Sequence, residues 1–119
     1  MNDNNTTIEQ LKLLVTTFVE ERNWQQYHTP KNLSINIAVE AAELMEIFNW
    51  TNDQNSYHML ETKREHVSQE IADIAFTLLN FCARNNIDLT SAFKAKMILN
   101  AQKYPVEKSK DRIEKYTEL

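Results

Sequence analysis

Not one glycine occurs in this chain of 119 residues, and proline occurs only at Pro30 and Pro105. Glycine reaches positive φ without steric cost, and both tight hairpins and phosphate-cradling loops depend on it. The gap argues against an all-β fold, a P-loop and a dinucleotide-binding fingerprint. An all-α fold is what remains. Apolar residues make up 42% of the chain, enough to fill one core at a length that suits one domain. The expectation is a single domain over 1–119, with its core at about 7–105 and a charged tail over 106–119.

Hydrophobic periodicity lays out the helices. Thr7 with Gln10 makes a capping box, after which Ile8, Leu11, Val15, Phe18 and Val19 recur at helical spacing to about Trp24. "QQYHTP" reads as a connection. Thr29 as N-cap and Pro30 at the first helical position then start a second helix, which runs to about Trp50. "TNDQNS" reads as a polar loop. A third helix is predicted from Met59 to Asn85, with Val67, Ile71, Ile74, Leu78 and Phe81 as its stripe. Asp88 caps a fourth, through Phe93 and Met97 to about Gln102, and Pro105 stops it. Four helices with short links predict a four-helix bundle-type domain, and its leftover Met and aromatic residues predict pairing with a second copy of the chain.

A net charge of −4 argues against a nucleic-acid polymer as partner, because phosphate neutralisation needs clustered Lys and Arg. The N-terminus lacks the basic and apolar regions of a signal peptide, and no apolar run approaches the length of a membrane span. A cytoplasmic protein with no membrane association is expected. The lone cysteine, Cys82, lies in an apolar helical run and reads as an inert core thiol.

Against this background two acidic pairs stand out. With 100° per residue counted from Glu40, Leu33, Ile37, Leu44 and Ile47 fall within about 60° of it, and Glu43 lies at the edge of that stripe. On the third helix Val67, Ile74, Thr77 and Phe81 surround Glu70 in the same way, with Asp73 at the edge. If the two stripes face each other, Glu40, Glu43, Glu70 and Asp73 converge. Spacing alone is weak, since 17 acids in this chain give roughly two such i,i+3 pairs by chance. Glu46 continues the spacing but rotates outward, towards either solvent or the site.

Position on the apolar face carries more weight than spacing. Two unit charges 4 Å apart repel by about 4 kcal/mol at an effective dielectric of 20, so gathered carboxylates need compensating cations. Lys or Arg could supply them, or the acids could sit in water at a bundle end, or a divalent metal could bind. Carboxylates without His or Cys suit Mg²⁺ or Mn²⁺ rather than Zn²⁺. No histidine follows a glutamate by three residues, which excludes a di-iron carboxylate site of the Glu-x-x-His kind. The residues therefore point to metal-assisted chemistry on a phosphate compound.

Three stretches carry a resemblance: "ERNWQQYHTPKNLSINIAVEAAELMEIFNW", "QEIADIAFTLL" and "KMILNAQKYP". In this order and spacing they resemble the all-α NTP pyrophosphohydrolase superfamily, and within it the MazG-like proteins close to dCTP pyrophosphatase. The resemblance implies a dimer or a tetramer of dimers that hydrolyses a nucleoside triphosphate between the α and β phosphates with Mg²⁺. The family's E-x-x-E motif matches Glu40 and Glu43, and its E-x-x-D motif matches Glu70 and Asp73. Val39 stands where many MazG relatives carry a further acid, a departure that fits the dCTP pyrophosphatase branch. By the same resemblance Lys96, Asn100, Lys103 and Tyr104 would contact the triphosphate, while Trp24, His28 and Trp50 would meet the base. Two other readings stay open: a related enzyme acting on phosphoribosyl-ATP or dUTP, and a non-catalytic helical dimerisation module.

Overall fold

Every helix that the capping chemistry marks is present in the computed structural model, which describes residues 1–119. Thr7 accepts from the Gln10 N–H at 3.1 Å and the Gln10 side chain accepts from the Thr7 N–H at 2.7 Å. This box opens α1, Ile8–Glu21. Thr29 caps α2, Pro30–Phe48, by accepting from the Asn32 N–H at 3.2 Å, with Pro30 where a missing N–H costs nothing. A short 3₁₀ turn, Gln25–Tyr27, separates the two. Trp24 and Trp50 both lie outside the helices predicted to reach them.

The predicted third helix is two helices. "TNDQNS" supplies the N-cap and first turn of α3, Asp53–Thr62, where the Asn52 side chain accepts from the Asn55 N–H at 2.8 Å. α4 is Arg64–Arg84, and Lys63 at φ −114° and ψ 21° divides them. The Thr62 hydroxyl bonds back to the His58 and Met59 carbonyls, both at 3.2 Å, a pattern that bends helices.

Positive φ occurs at Asn23, Asn86 and Asp111, the residue types that enter this region most readily after glycine. Asn23 follows α1 and Asn86 follows α4. A chain without glycine thus ends two helices with asparagine.

Two compact units divide the chain, Met1–Asn86 and Ile87–Leu119. In the first, α4 packs mainly on α2 and also on α1, and α3 touches both α2 and α4. Val15, Val19, Leu33, Val67, Leu79 and Cys82 form the buried apolar set, with Thr77 and Asn80 buried among them. Ile71 and Leu78, expected in the α4 stripe, are exposed instead. α4 meets α2 at Glu70 and α1 around Phe76 and Leu79, so its buried surface is wider than a single stripe. Cys82 is a buried free thiol, as expected.

The second unit holds α5, Leu89–Lys103, and α6, Val106–Ser109. Asp88 caps α5 by accepting from the Ser91 N–H at 2.9 Å, and Pro105 breaks the chain between the helices. The expected tail is structured: it ends in a 3₁₀ turn, Tyr116–Glu118, whose Tyr116 ring meets Tyr104 edge-on at 5.9 Å. No strand forms, and no helix is long and apolar enough to cross a membrane.

Candidate metal centre

Packing of α2 on α4 brings the two acidic pairs together. Carboxylate oxygens of Glu40, Glu43 and Glu70 all lie within 4.8 Å of one another. Leu33, two turns before Glu40 on α2, is 1% exposed. Asp73 is more exposed and lies outside this tight set, but its charge still reaches Glu40.

The electrostatics of this group are unfavourable without a cation. Glu40 has its pKa raised, first by burial, then by its hydrogen bond to Glu43, and then by the charges of Glu43, Asp73 and Glu70. Glu40 Oε2 and Glu70 Oε2 are both buried without a hydrogen-bond partner. A buried acceptor left unmade costs about 1–3 kcal/mol, more if charged. Arg64 pairs instead with Glu61 at 2.8 Å, and only His66 meets the cluster, its Nε2 lying 3.0 Å from Glu70 Oε1. No lysine or arginine forms an ion pair with the cluster, although Lys63 lines the cleft beside it.

Three converging carboxylates, two of them with orphaned buried oxygens, fit a hard divalent cation that takes oxygen ligands. Beside them opens a cleft of about 410 Å³ lined by Glu43, Glu46, Ile47, Met59, Lys63, His66 and Glu70. Glu46, which the sequence left between solvent and site, faces this cleft. His66 is a residue that sequence reasoning missed, although its position four residues before Glu70 puts both on one helix face.

The remaining candidates lie in other settings. His28 closes the 3₁₀ turn before α2, and its Nδ1 meets Asn80 Nδ2 at 2.9 Å. Its pKa is lowered, first by burial and then by the Arg84 charge. Trp24 packs edge-on against Phe18 at 5.8 Å, and the Arg22 guanidinium stacks 3.7 Å over that Phe18 ring. Trp50, in the turn after α2, is 93% exposed. In the second unit Lys96 and Asn100 are one turn apart on α5, with Asn100 half-buried. Lys103 Nζ sits 5.0 Å over the Tyr116 ring, which also holds Tyr104. Lys103 and Tyr104 thus form one group around the chain end.

An all-α architecture carrying paired E-x-x-E and E-x-x-D motifs on two facing helices defines the class. Comparison with known proteins agrees with it. The family model described as MazG-like matches residues 35–119. Among curated proteins, dCTP pyrophosphatase 1 from Bos taurus is 36% identical over 115 residues, covering 95% of this chain and 68% of the relative. The Homo sapiens protein of the same name is 34% identical over the same coverage. Among solved structures, a pyrophosphatase from Archaeoglobus fulgidus DSM 4304 superposes with a TM-score of 0.81 at 39% identity, over 88% of this chain and 98% of that one. The chain belongs to the MazG-like family.

Proposed function

We infer that this chain is a nucleotide pyrophosphohydrolase, and we propose that it converts a deoxynucleoside triphosphate, dCTP or a close analogue by preference, to the monophosphate and pyrophosphate. The carrying observation is the meeting of Glu40, Glu43 and Glu70 across α2 and α4 with two buried oxygens unpartnered, in a member of the MazG-like family. Mg²⁺ is the ion proposed, with Mn²⁺ able to replace it, because the donors are all carboxylate. Glu40, Glu43, Glu70 and Asp73 hold it. When bound, such an ion supplies charge neutralisation at phosphate oxygens and acidifies water at neutral pH.

The chain's own residues do the rest. Burial of Glu40 and Glu70 between the helices fixes their rotamers before substrate arrives, so little ordering remains at the moment of reaction. Water attacks the α-phosphorus, the bond from that phosphorus to the bridging oxygen breaks, and one carboxylate of the cluster accepts the water proton. Lys96 and Asn100 offer a cation and an amide from one helix face to the triphosphate, supported by Lys103 and Tyr104. Trp24, His28 and Trp50 meet the base. The working form is a homodimer or homotetramer, a reading supported by exposed apolar side chains such as Leu13, Ile35 and Met45. A nucleotide substrate and a single free thiol suit the cytoplasm.

A non-catalytic dimerisation module is the competing reading, and the orphaned oxygens weigh against it, since purely structural acids gain nothing from being buried unpaired. The test is a panel of dCTP, 5-modified dCTP, dATP, dUTP and phosphoribosyl-ATP, incubated with Mg²⁺ and resolved by chromatography. Monophosphate should accumulate fastest from the cytosine nucleotides, and only with metal. No turnover of any member leaves the dimerisation module as the better account.

A further inference from the structure

Asn80 is 1% exposed, one of the most deeply buried side chains in the protein, and it is polar. Its Nδ2 lies 2.9 Å from His28 Nδ1, across 52 residues of sequence. Its Oδ1 is buried and has no partner. An unmade buried acceptor costs about 1–3 kcal/mol, and a leucine, with the same branching, would fill the position without that cost. The asparagine is therefore poorly explained by packing. Its one side-chain hydrogen-bond partner is the imidazole.

That contact determines which ring nitrogen carries the proton. The asparagine amide donates, so Nδ1 must accept, and a neutral ring that accepts at Nδ1 carries its hydrogen on Nε2. The opposite amide orientation would leave both N–H donors unpaired, whereas this one leaves one N–H and the oxygen, and an orphaned buried N–H is the rarer fault. Burial and the Arg84 charge both disfavour imidazolium, which keeps the ring in its neutral form. Nε2 has no hydrogen-bond partner in the protein and is not among the fully buried atoms, so a ligand can reach it. On α4, Asn80 lies seven residues beyond Asp73, two turns along the same face and about 10 Å away at 1.5 Å per residue. Thr77, between them, spends its hydroxyl on the Asp73 and Ile74 carbonyls.

We propose that Asn80 is a positioning residue that holds His28 as its Nε2–H tautomer, so that His28 presents the nucleobase with a hydrogen-bond donor and no acceptor. The proposal rests on the reading that His28 meets the base. It adds a residue with no carboxylate chemistry of its own to the determinants of base recognition. A ring-nitrogen or carbonyl acceptor at the base edge, as on cytosine, satisfies the Nε2–H. A base that offers only a donor at that point does not.

Long-range ¹H–¹⁵N correlation spectra of the ¹⁵N-labelled full chain at pH 7.5 read the tautomer directly, without nucleotide or metal. Wild type should show His28 with a protonated Nε2 and an unprotonated Nδ1. In Asn80→Leu, and in Asn80→Ala should the leucine variant misfold, the two nitrogen shifts should move towards the average of exchanging tautomers. KM for dCTP should then rise about tenfold with kcat within twofold of wild type. A wild-type His28 protonated on Nδ1 overturns the proposal, and so does an altered tautomer with KM unchanged. Failure of the pyrophosphohydrolase reading is a separate result, since it appears as a wild-type chain that hydrolyses no nucleotide whatever its tautomer.

Discussion

Glu40→Gln should make the metal-free protein more stable while removing its response to metal. Glu40 has two carboxylate neighbours, Glu43 and Glu70, with oxygens within 4.8 Å. At that distance each ionised pair repels by about 3.5 kcal/mol at an effective dielectric of 20 and about 0.9 kcal/mol at that of water. Glu43 is exposed, so the lower end applies, and loss of both pairs gives about 2 kcal/mol. For a chain of this size each kcal/mol moves Tm by roughly 3–5 °C, so the variant should melt about 6–10 °C higher in EDTA at pH 8. The sign with pH is fixed by linkage. A raised carboxylate pKa means that the folded state binds the proton more tightly, so metal-free stability falls as pH rises from the ordinary carboxylate value through the raised one. The gap between variant and wild type should therefore be larger at pH 8 than at pH 5. Saturating Mg²⁺ should restore wild type, by about 2.7 kcal/mol at 100 times Kd, and leave the variant nearly unmoved. The assay is thermal unfolding followed by circular dichroism at both pH values, with EDTA or Mg²⁺. A variant that melts lower than wild type in EDTA at pH 8, or that gains as much from Mg²⁺, refutes the reasoning.

Other expectations follow from the same geometry. Glu70→Gln and Asp73→Asn should each retain less than about a tenth of wild-type turnover at saturating Mg²⁺, measured as pyrophosphate release, with circular dichroism unchanged. Leu33→Ala, at a fully buried core position on α2, should cost about 2–5 kcal/mol in urea unfolding. Stability of the Mg²⁺-saturated protein should decline as pH falls below 6.5, because the unfolded chain protonates His28 more readily than the fold does. His28→Gln should reduce that slope by at most about 1.4 kcal/mol per pH unit.

The parts of this fold legible in the sequence are those set by chemistry within four residues. The Thr7–Gln10 box, the Thr29–Pro30 start and the Asp88 cap all stand where their residue types demand. α3 was hidden because its first turn is made of the polar residues that also make loops, and only its cap distinguishes it. The Ile71 and Leu78 positions failed for a different reason. A periodic stripe assumes one packing partner, whereas α4 has α2 on one side and α1 on another. The acids were legible because charge on an apolar face contradicts its surroundings at both Glu40 and Glu70. Asn80 gave no such signal, since an asparagine inside a helix is unremarkable until a histidine 52 residues away packs on it.

On the proposed reading, the four carboxylates serve metal-dependent cleavage between the α and β phosphates. Phosphorus-31 NMR of dCTP incubated with the wild-type protein tests it most directly, with and without Mg²⁺. dCMP and inorganic pyrophosphate should grow in together at equal amounts, only when Mg²⁺ is present, and not with Glu70→Gln. Orthophosphate and dCDP as the first products, or turnover unaffected by EDTA, would contradict it.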